Sequence, residues 1–194
     1  INGQPRKVLV RPERNGYVYI MDRTNGQVLS ANPFAYITSS KGVDLNTGKF
    51  ERLYDSFDGE RLGGPNDLVF DKTGGFWFTD LGKRFARTRD HSGLYYARPD
   101  GSSLQKAIYP AVSFNGVGLS PDESTVYCND TDLGKLFFAK IESPGKLARF
   151  GANGARGNIL AALPEFQLLD SLAVEANGNI CSATLFNGGI YRPA

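Results

Sequence analysis

The sequence predicts an all-β chain built from propeller blades of four antiparallel strands. Three observations carry that expectation. Short β-branched and aromatic runs alternate with Gly, Asn and Asp. No window has the apolar spacing of a convincing amphipathic helix. One two-strand unit recurs three times along the chain, at close to the ~40–50 residues of a propeller blade.

Taken in order, strands are expected at Lys7-Val8-Leu9-Val10 and Tyr17-Val18-Tyr19-Ile20, with turns at Asn15-Gly16 and Asn25-Gly26. Asp58-Gly59, Asp100-Gly101, Asn177-Gly178 and Asn187-Gly188 have the same character, because both central residues of a type I′ hairpin turn need positive φ. The recurring unit is a polar residue, an apolar strand, a turn and a second apolar strand. Its first copy runs from Asn66 through Leu68-Val69-Phe70 to Phe76-Trp77-Phe78-Thr79-Asp80. A further strand is expected at Leu94-Tyr95-Tyr96. The second copy runs from Asn115 through Val117 to Thr125-Val126-Tyr127-Cys128-Asn129-Asp130, and the third from Asp170 through Leu172 to Ile180-Cys181-Ser182-Ala183. Between them, Ala148 to Leu163 is broken by Gly151, Gly154 and Gly157, so a loop and a strand are expected there in place of a helix. The inner strand of each blade lines a propeller's channel, so Asn66, Asn115 and Asp170, at the same end of successive strands, should be neighbours in space.

Composition narrows the chemistry. With 194 residues, one domain or two small ones are expected, and the 22 Lys and Arg against 20 Asp and Glu leave no block of charge that would suit a nucleic acid. No apolar run approaches the ~20 residues of a spanning helix, and the N-terminus lacks the order of a signal peptide, so neither membrane nor nucleic acid is an expected partner. One histidine and two cysteines cannot build a Cys/His zinc site or a disulfide framework, so any metal would be held mainly by oxygen. Residues 1–49 carry seven basic residues against three acidic ones, the remainder 15 against 17, and a boundary is placed near Lys49-Phe50.

Two resemblances follow. Arg14-Asn15-Gly16-Tyr17-Val18-Tyr19-Ile20-Met21-Asp22-Arg23-Thr24-Asn25-Gly26, with Ser30-Ala31 and Lys41-Gly42-Val43-Asp44, resembles one blade segment of the pyrroloquinoline-quinone (PQQ)-dependent alcohol dehydrogenases. That likeness would make Arg14 a cofactor contact. A vicinal cysteine pair, a stacking tryptophan and a calcium-binding acid set are absent from this part, so bound PQQ is not expected. Residues 50–192 resemble the gluconolactonase and regucalcin (senescence marker protein) family of six-bladed propellers, through Gly64-Pro65-Asn66-Asp67-Leu68-Val69-Phe70-Asp71, Phe114-Asn115-Gly116-Val117-Gly118-Leu119-Ser120-Pro121-Asp122 and Asp170-Ser171-Leu172-Ala173-Val174-Glu175-Ala176-Asn177-Gly178-Asn179.

This second resemblance implies hydrolysis of a small lactone or related ester with Ca²⁺ or Zn²⁺. It implies Asn115 and Asp170 as metal ligands, Asn66 as a substrate contact and Asp170 as general base. Amide and carboxylate oxygens form a hard donor set that suits Ca²⁺. Singly, Asn and Asp commonly cap strand ends; the triplet in register is read as a site. About three blades and a partial one are recognisable, so the chain is expected to be a composite or a fragment. The competing function is a non-catalytic binding scaffold completed by self-association, which would cover open blade edges; a PQQ-binding remnant at Arg14 is the third reading.

Other conspicuous residues have plainer roles. His91, beside Lys83, Arg84 and Arg87, is expected on an exposed loop in preference to a Ser-His-Asp triad or a loop that guides anions. Trp77 is expected in the core. Cys128 and Cys181 are read as matching positions of adjacent repeats and as free thiols.

Overall fold

The computed structural model describes residues 5–12, 17–33, 43–47, 54–149 and 157–193, and their regular structure is entirely β. The chain divides into two compact units, residues 1–54 and 55–194. Arg14, the Asn15-Gly16 turn and the Lys49-Phe50 boundary lie outside the described residues.

The first unit holds β1 (Val8–Pro12), β2 (Tyr17–Asp22) and β3 (Val28–Pro33), an antiparallel sheet in sequence order. Alternation along β2 puts Tyr17 and Tyr19 on one buried side, with ring centroids 6.3 Å apart. Its hairpin closes on Asp22, whose carboxylate accepts from Thr24 N at 2.8 Å and Thr24 Oγ1 at 2.5 Å. The Asp22 carbonyl accepts from Gly26 N at 2.9 Å.

The second unit opens with the small hairpin of β4 (Ser56–Phe57) and β5 (Glu60–Arg61). A four-stranded sheet follows in sequence order: β6 (Pro65–Phe70), β7 (Phe76–Asp80), β8 (Ser92–Ala97) and β9 (Leu104–Ala111). In the next sheet β10 (Phe114–Leu119), β11 (Thr125–Asp130) and β12 (Lys135–Ser143) pair in turn. There β13 (Lys146–Leu147) folds back on the far end of β12, while β14 (Asn158–Ala162) supplies the fourth main strand. The expected loop and strand over 148–163 is thus completed by β14; Gly151 and Gly154 lie outside the described residues. The last sheet is β15 (Leu169–Val174), β16 (Ile180–Thr184) and β17 (Gly189–Tyr191).

Turn chemistry differs from expectation. Only at Asp58-Gly59, among the described dipeptides, do both residues have positive φ (52° and 80°), the type I′ requirement. At Asn25-Gly26, Asp100-Gly101, Asn177-Gly178 and Asn187-Gly188 the glycine alone takes positive φ. At three of them its N–H closes the turn on the carbonyl of Asp22, Arg98 or Glu175. A helical turn ending in one left-handed glycine satisfies these longer loops without forcing the Asn or Asp into a costly conformation.

The core lies between the first two blades. Trp77, Leu94, Tyr96, Phe114, Val126 and Cys128 form one buried cluster, and Trp77 is 1% exposed with its ring edge-on to Tyr96 at 5.0 Å. Strands β7, β8 and β10 are buried along their full length, as strands covered on both faces must be. Both cysteines are free. Their positions do not match, however: Cys128 pairs with Val117, whereas the equivalent pair in the third blade is Leu172 with Ser182, so Cys181 is offset by one residue. Side chains alternate along a strand, and the offset leaves Cys128 buried and Cys181 partly exposed. Burial pushes the Cys128 thiol above its ordinary pKa, with the Asp67 and Asp130 carboxylates adding to the effect.

Candidate functional site

The three polar residues of the repeat occupy equivalent irregularities. Pairing between the first two strands of each blade shifts register between Pro65 and Leu68, between Phe114 and Val117, and between Leu169 and Leu172. Each shift encloses two residues: Asn66-Asp67, Asn115-Gly116 and Asp170-Ser171. A bulge releases residues from the ladder and re-aims their side chains, a device common beside active sites. Asn66, Asn115 and Asp170 are each the first residue of such a bulge.

Asn115 and Asp170 meet across the boundary between blades. The Asn115 amide nitrogen donates to Asp170 Oδ1 at 2.9 Å and to Thr131 Oγ1 at 3.1 Å. Asn115 is 5% exposed, and neither its Oδ1 nor Asp170 Oδ2 has a hydrogen bond among the described residues. Asn66 lies exposed on β6 without a hydrogen bond to either. Its neighbour Asp67 makes the inter-blade contact there, accepting from Val117 N at 3.0 Å. Arg14 cannot be placed, being outside the described residues. His91 is exposed and sets its ring edge-on to Tyr109, 5.9 Å between centroids.

Residues one strand farther out hold the bulges in place. Thr79 Oγ1 donates to the Asn115 carbonyl. In the next blade Asn129 Nδ2 donates to the Asp170 carbonyl at 3.0 Å and to that of Ser171 at 3.2 Å. Asn129 Oδ1 accepts from Ser182 Oγ at 2.9 Å. Thr79 and Asn129 are equivalent penultimate residues of β7 and β11, so each blade secures the bulged carbonyl of its successor. Asp80 and Asp130 follow them and clamp the chain entering the inner strands. Asp80 accepts from the amides of Gly63 (2.8 Å), Gly64 (2.5 Å) and Gly82 (3.1 Å). Asp130 accepts from Ser113 N (3.1 Å), Leu133 N (3.1 Å) and the Ser113 hydroxyl. Sequence reasoning placed these four residues at strand ends without a role; the signal was the polar pair closing an otherwise apolar strand in both repeats.

Among the described residues no group of three or more His, Cys, Asp and Glu could hold a metal. The fit to a cation therefore rests on the oxygen donors: the unbonded carboxylate oxygen of Asp170 and the amide oxygen of Asn115, which a half-turn of the amide would bring beside it. Thr131 Oγ1 can donate to that oxygen as readily as it accepts from the nitrogen. This pair fits part of a hard-cation site and suits Ca²⁺ better than Zn²⁺.

Comparison with known proteins bears on the fold and the family. Lactonase drp35 of Staphylococcus haemolyticus is 38% identical over 111 residues, 57% of this chain and 33% of its own length. The gluconolactonase of Zymomonas mobilis is 26% identical over 191 residues, 91% and 48% of the two chains. The chain thus spans from a third to about half the length of these relatives. Quinohemoprotein alcohol dehydrogenase ADH IIB of Pseudomonas putida is 49% identical over 49 residues, 25% of this chain and 7% of that enzyme. Among solved structures, a gluconolactonase from Xanthomonas campestris superposes with TM-score 0.57 at 24% identity, covering 92% of this chain and 66% of that one. Regucalcin from Agrobacterium tumefaciens, described as a calcium-binding protein, superposes with TM-score 0.59 at 15% identity, covering 92% and 63%. At these identities the likeness is one of fold, that of the six-bladed lactonase propellers, of which this chain covers part. The family described as SMP-30/Gluconolactonase/LRE-like region matches residues 2–194, and the chain belongs to it.

Proposed function

We propose that the chain carries a lactone-hydrolysing site centred on Asn115 and Asp170, with Ca²⁺ as the preferred cation. The observation that carries this reading is the 2.9 Å contact between the two side chains, made from equivalent bulges of adjacent blades. When bound, the cation would polarise the lactone carbonyl and lower the pKa of water beside it. Asp170 would take a proton from the attacking water and return it to the ring oxygen as the ester bond opens. Asp170 and, with its amide turned so that Oδ1 replaces Nδ2, Asn115 would hold the cation through oxygen, and the exposed Asn66 would contact substrate hydroxyls. Support for the substrate class comes from membership of the family and from relatives named as lactonases.

The test is a calorimetric Ca²⁺ titration together with acid release from a small lactone, on the parent chain and on Asp170→Asn. The variant should lose Ca²⁺ binding and fall roughly 100-fold or more in rate with an unchanged circular dichroism spectrum. Parental turnover by Asp170→Asn would sink the proposal.

A specific feature favours a second reading. Among the described residues the β15–β17 sheet has three strands and none pairs beyond β17, where Ile190 is 69% exposed, next to exposed Leu185 and Phe186. An apolar open edge is a template for another strand, and pairing with a second copy would make the chain a self-assembling scaffold. Sedimentation velocity should then show a concentration-dependent dimer, and a monomer at all concentrations would argue against it.

A further inference from the structure

A second concave feature lies on the first blade, and none of Asn66, Asn115 and Asp170 lines it. The β4–β5 hairpin, loop 81–91 and strands β8 and β9 enclose a cavity of about 310 Å³. That is the lower end of the ~300–1,000 Å³ range of small-molecule sites. Its apolar wall is aromatic: the rings of Phe57, Tyr95, Tyr109 and His91 all face it.

Two donors at this cavity have no partner among the described residues. Tyr95 is 5% exposed, and its hydroxyl makes no hydrogen bond among the described residues. Arg89 keeps Nε buried and unbonded, although Asp132 and the Leu81 carbonyl (3.1 Å) hold its other guanidinium nitrogens. Buried donors are nearly always satisfied, and Arg89 Nε is an exception; the Tyr95 hydroxyl, on the cavity lining, is free to meet an acceptor that enters it. Acceptors are present as well. Asp90 uses Oδ2 for Lys83 N at 3.2 Å, and Glu60 uses Oε2 for Lys106 at 3.6 Å; the second oxygen of each carboxylate has no hydrogen bond among the described residues.

Charge decides the ligand class. Arg61, Arg89 and Lys106 stand against Glu60, Asp80 and Asp90 around the cavity, a balance of zero that favours neither an anion nor a cation. Arg89 is held by Asp132, and Lys106 lies over the Tyr109 ring at 4.3 Å and the Phe57 ring at 5.1 Å. Asp80 is committed to three backbone amides. Unused donors and acceptors set among aromatic rings match hydroxyl groups, which both give and accept, carried on a ring with an apolar face.

We propose that this cavity binds a neutral, polyhydroxylated ring the size of a monosaccharide, separately from the Asn115–Asp170 site. Burial, and to a lesser degree the Asp80 carboxylate, pushes the Tyr95 phenol up to about 12. Tyr95 therefore remains an O–H donor throughout the range in which a sugar would be tested.

Isothermal titration of the full chain with D-glucose, and with gluconate as the charged comparator, tests the assignment. Saturable glucose binding is expected, weakened about tenfold by Tyr95→Phe, which deletes one hydroxyl and keeps the ring. Tyr109→Ala, which removes a partly exposed wall, should weaken it comparably, and Asp170→Asn should leave it unchanged. The proposal is overturned by any of four results: no saturable heat with glucose, tighter binding of gluconate than glucose, indifference to both tyrosine variants, or loss of binding in Asp170→Asn.

Discussion

Gly116 shows how a single position couples the blades. A Cβ built there would stand 2.4 Å from Leu172 N and 2.6 Å from the Asp170 carbonyl oxygen, both backbone atoms of the neighbouring inner strand. Backbone cannot move aside as a flexible side chain can, so even one methyl group must push β15 away from β10. Gly116→Ala is expected to cost about 3 kcal/mol in urea unfolding, at the upper end of overpacking effects, and to weaken Ca²⁺ binding by separating Asn115 from Asp170. An unchanged unfolding midpoint would show that the two strands are free to part. The need for glycine at 116 was not legible beforehand, because what it avoids lies 54 to 56 residues away in sequence. Asn115 and Asp170 were legible as neighbours, since their equivalence within the repeat is a property of local pattern. Asn66 shares that pattern, yet its side chain remains exposed without a bond to the other two.

At the level of elements, strands were the most readable feature and their irregularities the least. Runs such as Phe76-Trp77-Phe78-Thr79 and Thr125-Val126-Tyr127-Cys128 declare strands by composition. A bulge is set by the partner strand and by what receives the released carbonyls. Those receivers are Thr79 for Asn115 and Asn129 for Asp170. The turns show the same limit: among the described residues Asn-Gly and Asp-Gly marked the turns correctly, but loop length determined whether one residue or two took positive φ. Asn129 makes the most demanding of these connections, being fully buried and bonded to two carbonyls and the Ser182 hydroxyl. Asn129→Ala should remove all three bonds, leaving the buried Ser182 hydroxyl unpaired and the partly buried Asp170 and Ser171 carbonyls without their donor, at a cost of about 1–3 kcal/mol. Calorimetry should record the lower melting temperature, and Ca²⁺ titration should report weaker binding as Asp170 loses its support. Asn129→Ala with parental stability would mean that the bulge carbonyls find other donors.

For the molecule as a whole, the repeat spacing announced blades, but which blades share a core depends on packing that the spacing does not encode. In the second unit, one cluster runs from Trp77 and Leu94 in the first blade to Val126 and Cys128 in the second. The void left among Leu94, Phe114, Val126 and Cys128 is only about 10 Å³. Two sheets packed this closely should unfold together, because parting them would expose apolar surface on both. Trp77 is the chain's single tryptophan and sits in that cluster, so its fluorescence reports on residues 55–194. Leu94 is fully buried between the blades, and Leu94→Ala should cost about 2–5 kcal/mol, combining lost transfer energy with a cavity that stiff strands cannot collapse. In urea, the Trp77 transition should move to a lower midpoint while keeping one step and the parental slope, since the surface exposed on unfolding is the same. A transition that split in two, or whose slope fell, would show that the blades unfold separately and that the cluster joins them only weakly.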